Sequence, residues 1–182
     1  IIFIAFFLIK INQQKQNILI SEKYVQAGLY LASKENEKSI TDDDIAVVRE
    51  LKIQGKLIFS HVGTVRKIKC IDFILKAISS LSDEDRVKCA FVFIGKGMIK
   101  HYTDMAKDLG IEVYFLDEKK YVQPYYDLSD YVINVSGGSG ISNSLIETLS
   151  SGRPVIVWNN KTFTQVIKEG LNGIYCEHRN ST

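Results

Sequence analysis

The sequence predicts a doubly wound α/β domain built on a parallel sheet, and three observations carry that reading. From residue 56 onward, short β-branched runs alternate with stretches of helical periodicity. The helical stretches are clearly phased: Ile71, Ile74, Leu75, Ile78 and Leu81 recur at helix spacing, as do Met98, Tyr102, Met105, Ala106 and Leu109. A loop holding Gly137, Gly138 and Gly140 then joins one of the apolar runs to a further helix pattern.

Strands are expected over residues 56–62, 87–94, 112–116, 131–135 and 154–158, with a last one near Ile174. Gly110 follows the second helical stretch, where a residue free to adopt positive φ closes a helix. Ahead of these elements, residues 34–40 are polar, and Thr41, Asp42, Asp43 and Asp44 precede the pattern Ile45, Val48, Leu51. That order reads as a linker followed by an N-capped helix. A boundary near residue 50 follows: residues 1–50 as a remnant of a preceding domain plus linker, residues 51–182 as the sheet domain. Within the first part, residues 17–20 read as a strand and Glu22 onward as a helix.

The opening run of residues 1–9 is apolar, but Lys10 ends it short of the roughly 18 to 20 residues that a membrane span needs. It has no basic n-region and no small-residue cleavage site, and is expected to be a buried element of a longer protein. With 182 residues and 46% hydrophobic content, the chain can bury one α/β domain and part of a second. Its 23 basic and 21 acidic residues are interleaved and leave a formal charge of +2, which argues against a nucleic-acid tract. Cys70, Cys89 and Cys176 are odd in number and lack metal-ligand spacing, so reduced thiols in a cytoplasmic protein are the plain reading.

Residues 134–147 (NVSGGSGISNSLIE) are the most informative segment. Glycines let the backbone approach a ligand and turn N–H groups toward an anion. Ser142 or Asn143 would cap the following helix, whose free amides and positive dipole end then face the same spot. Such a place binds phosphate. Glu147 lies about one turn in, where a carboxylate can accept from a ribose or sugar diol, or merely complement the helix dipole. The segment 62–69 (VGTVRKIK) directly follows the first strand of the domain. Ligands of open α/β sheets bind beyond the carboxyl ends of the strands, so Arg66, Lys67 and Lys69 could meet phosphates there.

Five segments in this order resemble the retaining GT-B glycosyltransferases of family 4, specifically their C-terminal, donor-binding domain: FSHVGTVRKIK (59–69), FVFIGKG (91–97), YYDLSDYVINVS (125–136), GISNSLIETLSSGRPVI (140–156) and EGLNG (169–173). The resemblance covers roughly residues 56–176, and the fourth segment is the most specific. It implies a Rossmann-like domain that binds a nucleotide diphosphate-sugar, UDP- or GDP-linked, for transfer to a glycan or polysaccharide acceptor with retention and without cofactor or metal. It also implies that acceptor-side and catalytic residues belong to the preceding domain, that this fragment alone is inactive, and that peripheral association with the inner face of the membrane would run through that domain. By position, Glu147 matches the family glutamate on the ribose and Lys69 the lysine on the diphosphate. Gly63 is the strand-end glycine; the arginine after it falls on Thr64, with Arg66 as its substitute. Gly140, Ser142, Asn143 and Ser144 match the segment near phosphates and sugar, and Leu116 lies where the base would stack. The family's second glutamate, eight positions before the first, falls on Ser139.

That departure keeps open a binding module that has lost catalysis. Gly95 and Gly97 alone favour a third reading, an NAD-dependent Rossmann enzyme, but the third glycine of that fingerprint falls on Lys100, so a structural turn is expected. Asp42 and Asp44 form a D-x-D pair that could hold a divalent ion, though acids at a helix start are more commonly dipole partners. His61 reads as a half-buried, satisfied side chain, and Tyr121, Tyr125, Tyr126 and Tyr131 as helix-to-sheet packing.

Overall fold

The computed structural model describes residues 43–138 and 140–177. The expected elements at 1–9, at 17–20 and from Glu22 lie outside them. The described chain forms β1 (Leu57–Val62), β2 (Cys89–Ile94), β3 (Tyr114–Leu116), β4 (Tyr131–Ile133), β5 (Val155–Trp158) and β6 (Gly173–Cys176), interleaved with α1 (Asp43–Ile53), α2 (Ile71–Ser79), α3 (Asp83–Val87), α4 (Ile99–Asp108), α5 (Gln123–Leu128) and α6 (Asn143–Ser150). The strands make one sheet in the order β3-β2-β1-β4-β5-β6, with every pair parallel. This is a Rossmann-like α/β fold.

Strand pleating divides the core in two. Ile58 and Val62 of β1 face one side, where Val92, Ile94 and Val132 join Ile45, Val48 and Leu51 of α1 and Tyr125 and Tyr126 of α5. Phe59 faces the other side, with Phe91, Phe93, Tyr131 and Ile133 under α2, α4 and α6. The Phe59 ring stacks on Phe91 at 5.3 Å and on Tyr131 at 5.5 Å, so aromatic contacts cross three adjacent strands. β1 and β2 are apolar nearly throughout because helices cover both faces. The one hydroxyl in β1 is satisfied: Ser60 Oγ lies 2.6 Å from Ser129 Oγ, which donates in turn to the Tyr125 carbonyl at 2.7 Å.

All six expected strands form, mostly shorter than the sequence suggests. The largest correction is at Val87, which ends α3 and is 67% exposed. Its β-branched side chain reads as strand, but Ser82 caps a short helix by accepting from Asp85 N–H at 3.1 Å, and the strand begins only at Cys89. Gly110 closes α4 as expected, with φ of 64° and its N–H on the Lys107 carbonyl at 3.0 Å. Residue 50, the expected boundary, falls inside α1, whose apolar face belongs to the sheet's core. Lys52 of that helix also pairs with Asp130 at 2.5 Å, and Asp130 accepts from Ile58 N–H at 2.9 Å. Among the described residues no helix is long and apolar enough to cross a membrane.

Gly95 and Gly97 show why the turn after β2 carries a G-x-G. A Cβ on Gly95 would lie 2.0 Å from the Gly63 carbonyl oxygen, and one on Gly97 would lie 2.3 Å from that of Val65. Both also have φ near the positive extreme, at 145° and 146°. Gly95→Ala should therefore destabilise by about 3 to 5 kcal/mol, combining backbone strain with overpacking. Gly110→Ala, at φ of 64° in open space, should lose only about 1 kcal/mol. Urea unfolding of the two variants checks this; equal losses would contradict a role for close backbone approach.

Candidate functional site

The strand order reverses between β1 and β4, which are hydrogen-bonded neighbours although two other strands separate them in sequence. At such a switch point the loops leaving the two strands diverge and a crevice opens at the carboxyl edge. After β1, Gly63 N–H donates to the Ile94 carbonyl at 2.9 Å and Val65 N–H to Lys96 at 2.9 Å, so the loop first runs along the turn after β2. A single 3₁₀ turn, Lys67–Lys69, then swings it toward the loop after β4. There Gly137 N–H donates to the Ile68 carbonyl at 2.8 Å, with Ser136 Oγ on the same oxygen at 3.3 Å. The two loops singled out in the sequence thus meet on one edge of the sheet.

The second loop delivers the N-terminus of α6. Ser142 is the cap: its Oγ accepts from Leu145 N–H at 3.3 Å. Asn134, buried at the end of β4, aims its side-chain N–H groups at Ser144 Oγ (3.0 Å) and Ser142 Oγ (3.2 Å), and the two hydroxyls lie 3.0 Å apart. This three-residue network fixes the entry into the helix. Helix geometry leaves the amides of Asn143 and Ser144 without an intrahelical acceptor. Those amides and the dipole make an anion-binding end. Gly140, with φ of 143°, makes the turn into this segment; Ser139 lies outside the described residues.

Across the seam, Arg66 is exposed and Lys69 half-buried, and neither has a carboxylate partner among the described residues. Thr64, where the resemblance expects arginine, is half-buried, and its carbonyl accepts from Arg66 N–H at 3.1 Å. Cys70 follows Lys69 in the left-handed region, φ 52° and ψ 37°, the one such non-glycine residue among those described. Burial raises its thiol pKa.

Glu147 projects from α6 away from Leu145 and Leu149, which enter the core. Its Oε2 accepts from the hydroxyl of Tyr126 at 2.9 Å. Leu116 ends β3, which β2 separates from β1; its side chain is in the core and its carbonyl accepts from Gly95 N–H at 3.1 Å. Asp44 is paired with Lys119, while Asp42 lies outside the described residues. In the sequence Asn134 only opens the glycine-loop segment and Tyr126 reads as helix-to-sheet packing, and neither is given a role at the site. A buried asparagine just before a serine-rich cap could have marked the first; a tyrosine in a short apolar helix gives no signal for the second.

His61, expected to be satisfied, is only half so. It is buried, its Nδ1 lies 3.1 Å from the Ile133 carbonyl, and its Nε2 has no partner among the described residues. The carbonyl requires the proton on Nδ1, leaving Nε2 as a lone-pair acceptor. Burial above all, with the positive Lys69 as a secondary cause, lowers the imidazole pKa from 6.5 to about 4. Between these values the unfolded chain takes up a proton that the folded chain refuses. Stability from this group is therefore complete above pH 6.5, falls as pH falls through the window and levels off below pH 4. The loss should be on the order of 3 kcal/mol. His61→Gln, which keeps a donor for Ile133, should lack that component, so urea unfolding at pH 7 and pH 5 should narrow the gap between the two proteins. A gap independent of pH would contradict a neutral buried His61.

The domain superposes on glycosyltransferase structures. Anabaena HepE in complex with UDP-glucose matches with a TM-score of 0.64 at 17% identity, over 78% of this chain and 41% of that one. WaaG, a glycosyltransferase involved in lipopolysaccharide biosynthesis, matches with 0.61 at 17% identity, over 79% and 40%. The C-terminal domain of the group 1 glycosyltransferase LpcC from Francisella tularensis matches with 0.59 at 23% identity, over 73% of each chain. The chain thus spans about two fifths of the length of HepE and WaaG. A search of curated protein sequences finds no significant match. The family description Glycosyl transferases group 1 fits residues 56–182, more than half of the chain, and the sequence therefore belongs to that glycosyltransferase family.

Proposed function

We propose that this chain is the donor-binding domain of a retaining, metal-independent glycosyltransferase that moves a sugar from a nucleotide diphosphate-sugar to a glycan or polysaccharide acceptor. The observation that carries the reading is the Gly137–Ile68 seam, which joins the loop holding Arg66 and Lys69 to the loop that opens α6. A diphosphate at this seam would meet helix amides on one side and, on the other, two cations without a carboxylate partner among the described residues. As the glycosidic bond breaks, negative charge grows on the leaving diphosphate, and fixed donors stabilise it without reorganising. In this reading Arg66, Lys69 and the α6 dipole do the work that a divalent ion does elsewhere. Glu147 takes the ribose hydroxyls, Gly63, Thr64 and Gly140 allow the phosphates close approach, and Ser142, Asn143 and Ser144 line the phosphate and sugar end. Leu116 lies toward the base, and Ser139 by the donor sugar.

UDP is the first choice of nucleotide because HepE was crystallised with UDP-glucose; GDP is the second. The acceptor and the catalytic side chains belong to the rest of the protein, and this domain alone would bind donor and turn over little. Free cysteines at 70, 89 and 176 suit a reducing, cytoplasmic setting. Ser139, in place of the family's loop glutamate, supports a second reading, a donor-binding module without catalysis; turnover by the protein with its preceding domain separates the two.

The proposal predicts which part of the ligand each residue feels. Lys69→Ala should weaken UDP and 2′,3′-dideoxy-UDP alike. Glu147→Gln should weaken UDP by about tenfold or more and barely change the dideoxy analogue. EDTA should leave UDP affinity unchanged. Calorimetric titration checks all three, and equal losses for both ligands in Glu147→Gln would reduce that residue to a helix-dipole partner.

A further inference from the structure

Glu147 does not stand free. The ring of Tyr126 is fully buried among Ile58, Val62, Leu116 and Val132, so its hydroxyl has a fixed position at the junction of α5 and α6. That hydroxyl has one proton, and near it lie Glu147 Oε2 at 2.9 Å and the Ser144 carbonyl at 3.5 Å. The nearer, charged acceptor takes it. A second clip acts on the next turn of α6. Gln123 of α5 donates its amide N–H to Ser151 Oγ at 3.0 Å, and the Ser151 hydroxyl, with one proton, donates to the nearer of its acceptors, the Glu147 carbonyl at 2.7 Å. Both the side chain and the backbone of Glu147 are therefore referenced to α5.

We propose that Tyr126 is a positioning residue for nucleotide recognition, holding the Glu147 carboxylate oriented so that Oε1 is presented to a ribose hydroxyl. The inference rests on the donor-site reading above and deepens it. A free glutamate gives up rotamer entropy when a ligand orders it. Here folding has already ordered it, which is preorganisation. The arrangement also changes what the carboxylate offers. One lone pair of Oε2 is occupied by the phenol, so the two oxygens are not equivalent toward a diol, and Oε1 is the stronger acceptor.

The test is Tyr126→Phe in the 182-residue chain, which removes one oxygen and leaves the ring packing in place. UDP affinity should fall about tenfold, in step with one charge-assisted hydrogen bond. Affinity for 2′,3′-dideoxy-UDP should stay within twofold of the wild type. In a Glu147→Gln background, Tyr126→Phe should cause little further loss for UDP, because the group it positions is gone. A purely structural tyrosine would weaken both ligands equally and would do so in either background. If wild type binds UDP and Glu147→Gln weakens it, but Tyr126→Phe binds like wild type, the positioning role is overturned and the donor site stands. If wild type binds no nucleoside diphosphate, both fall together. Should Tyr126→Phe fold poorly, Gln123→Ala supplies the second arm: it loosens the other clip and should give a smaller loss, again for UDP and not for the dideoxy analogue.

Discussion

One backbone hydrogen bond, from the N–H of Gly137 to the carbonyl of Ile68 at 2.8 Å, ties together the two loops that leave the sheet at its point of reversal. It sets where Lys69 and the N-terminus of α6 lie relative to each other. The loop after β1 is first held to the turn after β2 by bonds that only glycines permit at Gly95 and Gly97, because any Cβ would collide with the carbonyls of Gly63 or Val65. It is then free for one 3₁₀ turn, and Gly137 catches it there. Without that contact, Lys69 and the N-terminus of α6 would be attached to neighbouring strands yet not to each other.

The charges of this edge are arranged to leave two cations beside a helix N-terminus. Elsewhere Lys52, Lys88, Lys96, Lys100 and Lys119 each have a carboxylate within ion-pair distance, contacts that add little stability when exposed but do neutralise charge. Arg66 and Lys69 have none among the described residues. The histidine beneath them is kept neutral by burial and so adds no competing cation. Two cations and the N-terminus of α6 thus lie on loops joined to each other, and an anion is the complement of that arrangement.

Much of this was legible in the sequence, for physical reasons. Parallel strands covered on both faces leave apolar runs, and helices between them leave a 3.6-residue rhythm, so all six strands and the helices with phased apolar residues could be read directly. The cap was legible as Ser142 or Asn143, because either residue before an apolar helix has one common use, and Ser142 is the one that takes it. Other features depend on contacts between distant parts of the chain and leave no local trace. Val87 reads as strand until Ser82 is seen to cap a helix that ends on it. That Ile45, Val48 and Leu51 of α1 pack under the sheet is likewise a contact between distant parts of the chain. The unpaired Nε2 of His61 and the clasp of Tyr126 on Glu147 are set by the separation of strands and helices, which residue order does not encode.

Hydrogen exchange of the 182-residue chain with and without UDP tests the central claim most directly, because it reads the two loops independently of any mutation. The account predicts that saturating UDP slows exchange in peptides covering residues 63–69 and 136–147 together, with little change at the opposite, amino edge of the sheet. Protection of only one of these segments, or protection centred elsewhere while UDP is bound, would show that the two loops do not form a common nucleotide site.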